Sequence, residues 1–207
     1  MRTTHQHLIG VHVEDLRPTQ MTVGRLEVER KRAEWRTLKR KERERRLAEH
    51  WFPAVLGPKE RYYIVDHHHL LLALHEEHVD IGWAIVLDDL SWLDTDRFWR
   101  TMEFHQWAHP FDERGRRHEF ERIPKKITGL RDDPHRSLAG LVRTAGGFAK
   151  DGTPFAEFLW ADYFRTRVPG KLINHTPEKA VAIALRLALR REARYLPGWA
   201  GRTRAAS

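Results

Sequence analysis

The chain contains no cysteine. That absence excludes a disulfide scaffold, a thiol nucleophile, a thiolate zinc site and an iron–sulfur cluster in one step. Long hydrophobic runs are also missing: no apolar stretch approaches the roughly 18 residues of a membrane span. The first residues, MRTTHQHLIGVHVEDL, lack the charged start, apolar stretch and small-residue cleavage site of a secretory signal. The expectation is a cytoplasmic protein with no membrane partner. Acidic charge is short as well, with 29 Asp and Glu against 37 Lys and Arg, a net charge of +8. What the chain does have is 41% hydrophobic residues, eight Trp and nine Phe over 207 residues. A chain of that length and content can close a core, which excludes wholesale disorder and fits one large domain or a core domain with a helical extension.

The positive charge is concentrated. Arg25 to Arg46 carries eleven Lys and Arg against five Glu, and Arg186 to Arg204 carries six Arg against one Glu, so the remainder is mildly acidic. A polyanionic partner is one reading of these two segments. The other is a solvated helix face, because interleaved charge such as KRKERERRLAE is usually surface.

Alternating Ile9, Val11 and Val13 predict a strand over Leu8 to Leu16, stopped at Arg17-Pro18. Thr22 is placed to cap one helix running to about His50. Pro53 to Leu56 is a short apolar piece closed by the Gly57-Pro58 turn, and Arg61 to Val65 is a buried strand. Asp66 is then a helix cap before a buried helix, His67 to His78. Ile81 to Leu87 reads as a strand ending at Asp88-Asp89, with a helix opening at Asp94 or Thr95 and a long polar excursion from Ala108 to Lys126. Helices over about Pro134 to Thr144, Pro154 to Arg167 and Pro177 to Leu196 complete the chain, each with Pro near its start. The aromatic residues recur at helical or strand spacing and should be mostly core.

The turn from YYIVD into HHHLLLAL points the unpaired amides of a helix's first turn at whatever lies above the strand end, and the helix dipole favours an anion there. Asp66, His67, His68 and His69 therefore form the candidate phosphate site, with imidazoles as a second layer of donors. The blocks DLRPTQ with VG, YYIVDHHHLLLAL, DDPHRSL followed by AGLVR and GGFAK, and PFAEFLWADYFR resemble the ParB-like nuclease family, over about residues 13 to 168. The wider likeness is to the fold of the ParB N-terminal domain and sulfiredoxin. The resemblance implies an α+β fold with a small mixed sheet, a bacterial-type protein, and phosphate held by a box of the form V-D-G-H-H-R. In this chain His67 stands at the Gly of that box, His68 and His69 at its variable positions, and Leu70 at its phosphate-binding Arg. Gln20, beside Arg17 and Pro18 in the N-terminal motif, stands where the superfamily's serine-kinase branch carries a catalytic Glu; Gln cannot accept a substrate proton.

The missing cation is sought in Arg136 and Arg143, seven residues apart on one helix, and Lys150; the alternative is ion pairing to Asp132, Asp133 or Glu157. His75 and His78, at i and i+3, are spaced to share a metal, although His-Glu-Glu-His is not the H-E-x-x-H motif. For phosphoester hydrolysis, Asp66, Asp88 and Asp89 are the candidate ligands of Mg or Mn, with His68, Asp88, Asp89 and Arg136 as catalytic candidates; the alternative makes these carboxylates a helix cap and a strand-closing turn.

The expectation is thus an α+β domain over 1–130 with a helical extension over 131–207, binding nucleotide or nucleic-acid phosphate, with hydrolysis and a nucleoside triphosphate ligand as further expectations. A non-catalytic DNA-binding, partition-type module and a small-molecule phosphotransferase are the alternatives, and assembly into a homo-oligomer is left open.

Overall fold

The computed structural model describes residues 8–201. Residues 1–7 of the N-terminal stretch, and Arg202 and Arg204 of the second basic segment, lie outside the described residues. The chain forms two units. The first comprises the residues up to Val23 together with Val28–Asp112 and Arg116–Arg131; the second comprises Gly24–Glu27, Glu113–Gly115 and the chain from Asp132 onward. This division differs from a single cut at residue 130, because two short pieces of the N-terminal half belong to the second unit.

The first unit is α+β. Its strands are β1 (Leu8–His12), the two-residue β2 (Thr22–Val23), β3 (Phe52–Gly57), β4 (Arg61–Ile64) and β5 (Ile81–Asp89). A four-stranded sheet has the order β1-β5-β3-β4, with β3 parallel to β5 and the other neighbours antiparallel. The short apolar piece at Pro53 is thus a central strand. Its pleat sends Phe52 and Ala54 into one core, with Ile64, Ala84 and Leu71, and sends Val55 into another, with Tyr63, Phe98 and Met102. Gly57 is required where β3 ends, since a Cβ there would lie 2.6 Å from the Phe98 ring and 2.7 Å from Tyr63.

The strand expected over Leu8 to Leu16 stops at His12 and continues as a 3-10 turn, Val13–Asp15. The single charged helix expected from Thr22 is two helices, α1 (Arg25–Thr37) and α2 (Arg40–Glu49). The break falls at Lys39, whose amide donates to Glu42 Oε2 at 2.7 Å and so opens a new first turn. Much of the charge here is internally paired. Arg32 reaches Glu29, Glu76 and Glu77, Arg36 reaches Glu77 at 2.7 Å, and Arg30–Glu34, Arg40–Glu44 and Arg45–Glu49 are i,i+4 pairs. Hydrogen bonds from Arg36 and Arg32 hold the Glu77 carboxyl below its usual range. The helices α3 (His68–Glu76) and α4 (Thr95–Phe104) follow, the latter capped by Asp94, which accepts from the Arg97 amide at 2.8 Å.

The second unit is helical: α5 (Pro134–Thr144), α6 (Ala156–Arg165), α7 (Gly170–His175) and α8 (Pro177–Ala188). Ala180, Ala184 and Ala188 recur every fourth residue along α8 and are fully buried, which lets the helices approach closely. Trp160 stacks on Phe148 at 4.2 Å and donates to the Pro197 carbonyl at 2.8 Å. The helix expected to reach Leu196 ends at Ala188 and gives way to a 3-10 turn, Arg191–Ala193. None of the helices among the described residues is long and apolar enough to cross a membrane.

Candidate functional site

The strand-to-helix corner of the first unit is built around a buried brace. The Thr19 amide donates to His68 Nε2 at 3.1 Å, the Thr19 hydroxyl donates to the Ile64 carbonyl at 2.8 Å, and the Thr19 carbonyl accepts from the His109 amide at 2.8 Å. Thr19 and His68 are only 2% and 4% exposed. A backbone N–H can only donate, so Nε2 carries a lone pair and the His68 ring is neutral with its proton on Nδ1. The Arg17 amide and carbonyl pair with Tyr62 and Ile64, which lays the LRPTQ segment along the edge of β4. Gln20 is buried and donates from Nε2 to the Thr22 carbonyl at 2.7 Å, so its amide shapes the turn.

His67, at the glycine position of the resembled box, has φ +66 and ψ +23, the left-handed conformation that glycine adopts most readily. It is the N-cap of α3, a role the sequence assigned to Asp66. The ring is anchored by Nδ1, which donates to the Trp51 carbonyl at 2.9 Å. Asp66 turns back and accepts from the His67 amide at 2.6 Å. His69 and Leu70 follow in the first helical turn, both half-buried. Arg17 does not stand in for the missing box Arg: its guanidinium lies 6.0 Å from the Tyr63 ring, and Tyr63 belongs to the core on the α4 face of the sheet.

The expected metal ligands do not converge. Ile64 pairs with Ala54, whereas Asp89 pairs with Leu56, so Asp66 and Asp89 lie toward opposite ends of β3, about 13 Å apart along the strand. Asp88 accepts from the Asp89 amide, and Asp89 accepts from the amide and hydroxyl of Ser91 at 3.0 and 2.6 Å, which holds its carboxyl below the usual range. This is the strand-closing turn given above as the alternative. Among the described residues no group of three or more His, Asp or Glu is arranged to hold a metal ion. Mg or Mn shared between Asp66 and Asp88-Asp89 therefore does not fit these residues. His75 and His78 border a polar cavity of about 190 Å³ with His12, Glu14 and Asp80.

In the second unit, DDPHRSL folds into a buried polar cluster. Asp133 is 1% exposed, accepts from the His135 amide at 3.0 Å to cap α5, and takes a two-pronged grip from Arg165 Nη1 and Nη2 at 3.0 and 2.8 Å. Arg165 also donates to Asp162 at 3.1 Å and to the Glu113 carbonyl. His135 donates from Nε2 to the Val168 carbonyl at 2.9 Å, and burial lowers its pKa. Asp132 accepts from the Arg25 amide at 2.9 Å, and the Ser137 hydroxyl accepts from Leu26. Those two acceptors cap α1, the task expected of Thr22. Gly24 is tight against this cap: a Cβ would lie 2.7 Å from the Ser137 amide nitrogen.

Arg136 is buried with its guanidinium carbon 3.4 Å from the Phe158 ring centroid, and Arg143 is ion-paired to Glu157. The ion-pair alternative thus describes both arginines, since Arg136 Nη2 also lies 4.0 Å from Glu157 Oε2, and Lys150 is exposed. Thr19, Asp133, His135 and Arg165 were not singled out in the sequence as site residues. For Asp133 a signal existed, since Asp followed by Pro is a helix N-cap with Pro at the first helical position. Arg165 had none beyond being a charge at the end of an apolar helix.

A family model described as "Putative ParB-like nuclease" matches residues 9–166. The crystal structure of protein Atu1540 from Agrobacterium tumefaciens is similar to this chain, with a TM-score of 0.90 and 45% sequence identity over 96% of this chain and 100% of that one. No curated protein matches.

Proposed function

This chain belongs to the ParB-like nuclease family, and from that premise we propose that it binds the phosphate of a nucleotide or nucleic acid at the corner where LRPTQ meets the first turn of α3. The observation that carries the reading is the Thr19–His68 brace. Burying an amide, a hydroxyl and an imidazole is unfavourable unless each is hydrogen-bonded, and here the set fixes the segment against the helix start. Left-handed backbone at His67 keeps the turn geometry of the glycine box, so the positive end of the α3 dipole remains the anion-attracting element.

The reading is binding. His68 serves as an acceptor inside the brace, and a proton-transfer role would require breaking it. Phosphoester cleavage through Asp66, Asp88 and Asp89 together is not part of this reading, because the sheet separates them. A nucleoside triphosphate, with Mg or Mn carried on its own phosphates, is the ligand class to test first.

The test is a thermal-shift panel of nucleoside triphosphates and short oligonucleotides, with and without Mg²⁺ or Mn²⁺, on the wild type and on His69→Glu, which places a negative charge in the first turn. A ligand at 100 times its Kd adds about 2.7 kcal/mol of stability. Stabilisation of the wild type that disappears in His69→Glu is the expected result. An unshifted wild type, or an equal shift in both proteins, would refute the reading. Leu70→Arg, which restores the box cation, should tighten binding by roughly tenfold, in keeping with one charge-assisted bond of about 1.5 kcal/mol.

A further inference from the structure

We propose that the basic turn at Arg190 to Tyr195, beyond the family match at 9–166, is a docking surface for single-stranded nucleic acid. The inference is independent of the α3 corner.

The turn winds as a 3-10 segment, with the amides of Ala193, Arg194 and Leu196 donating to the carbonyls of Arg190, Arg191 and Ala193. In that geometry residues three apart share a face. Ala193 and Leu196 share the inward face and are buried in the helical core. Arg191 and Arg194 share an outward face, and Glu192 and Tyr195 share the next. The Trp199 indole donates to the Arg190 carbonyl at 3.1 Å, tying the turn down from its other side. Arg191, Arg194, Tyr195 and Glu192 line an open concavity of about 520 Å³.

The arginines here differ in kind from those of α1 and α2. Those are mostly engaged by Glu29, Glu34, Glu44, Glu49, Glu76 and Glu77. Among the described residues, no ion pair or side-chain hydrogen bond engages Arg186, Arg190, Arg191 or Arg194, and all four are exposed. Glu192 is the one acid among them. Tyr195 stands beside them with 69% of its surface exposed, so a large ring faces water next to uncompensated cations. Cations that track a backbone and an aromatic face on which a base stacks are the two elements of single-strand binding. Arg191 and Arg194 sit about 6 Å apart along the turn axis, comparable to one nucleotide step. A duplex would offer phosphates to the arginines but no free base face to Tyr195.

The experiment is fluorescence anisotropy of a fluorescein-labelled dT20 strand against the full chain at 50 and 200 mM NaCl. The proteins are the wild type, Arg191→Ala with Arg194→Ala, Tyr195→Ala, Arg40→Ala with Arg45→Ala, and His69→Glu. Two lost phosphate contacts on a single strand lower the salt slope by about 1.4, so the wild type should lose about sevenfold more affinity across this salt range than the double variant. Tyr195→Ala should weaken dT20 binding roughly tenfold and duplex binding much less. The side chains substituted in the turn and in α2 are exposed and His69 is half-buried; an unchanged melting temperature in each variant shows that the fold is intact. The inference is overturned by no binding of dT20, by undiminished binding in both turn variants, by an equal loss in the α2 variant, or by binding to phosphatidylserine vesicles or polyglutamate as tight as to dT20. A loss confined to His69→Glu overturns it while leaving the corner reading standing, and a loss confined to the turn variants supports it.

Discussion

Replacing His68 with leucine removes the acceptor for the Thr19 amide while keeping most of the side-chain volume. Thr19 is 2% exposed and lies 3.1 Å from Nε2, so the amide would be left in a nearly dry site. An orphaned buried donor costs about 1–3 kcal/mol. For a chain of this size each kcal/mol lowers the melting temperature by about 2–4 °C, which gives an expected drop of roughly 2–12 °C in His68→Leu. The local effect should be sharper than the global one. Hydrogen exchange at the Thr19 amide, followed by NMR, should accelerate roughly tenfold or more, because every 1.4 kcal/mol of lost protection is a factor of ten. His68→Gln places an amide oxygen near the position of Nε2 and should recover at least half of both losses. The reasoning fails if His68→Leu leaves Thr19 exchange and melting temperature at wild-type values, or if His68→Gln is as damaging as His68→Leu.

Arg165→Met strands the Asp133 carboxylate, which is 1% exposed, and should destabilise the protein by about 3–5 kcal/mol in urea denaturation; a loss below about 1 kcal/mol would show that Asp133 does not depend on the grip. Because burial lowers the His135 pKa, the unfolded chain binds the proton first, and stability should fall as pH drops below about 6.5. That slope, measured as melting temperature between pH 8 and pH 5.5, should flatten in His135→Asn; His50, lowered first by burial and then by Arg46, adds a remainder of the same sign. Gly24→Ala forces a methyl against the Ser137 backbone and should cost about 1–3 kcal/mol, whereas Gly140→Ala, on a helix where the nearest atom is 3.5 Å away, should be neutral or stabilising by up to about 1 kcal/mol; equal effects in the two would refute the close-approach argument.

The α+β class, β4 with the helix behind it, and α5 were legible because their signals are local. Arg61 to Ile64 is a β-branched and aromatic run, and Asp133-Pro134 is a helix start whatever surrounds it. The helix caps were not legible in the same way. Thr22 looks like a cap by type, but the acceptor for the Arg25 amide is Asp132, 107 residues later, and no local pattern announces it. The break at Lys39 was hidden by a uniform charge pattern that suits one long helix as well as two. At the candidate site, the strand-to-helix turn was visible, and so was the departure at Leu70. The use of His68 as an acceptor depends on Thr19, which is 49 residues away in sequence. Asp66 and Asp88-Asp89 were grouped because each follows a strand; the antiparallel step between β3 and β4 puts those strand ends at opposite ends of β3. The exposed Trp92 and Phe104 depart from the expectation that such aromatics are core, since periodicity reports a face and leaves open whether anything covers it.

The way the backbone is shared between the two units governs what genetic rearrangement can do to this protein. A break after Arg131 would leave the downstream fragment without Gly24–Glu27, whose amides Asp132 and Ser137 cap, and without Glu113, whose carbonyl Arg165 engages. The downstream half is therefore not a cassette that recombination could move intact.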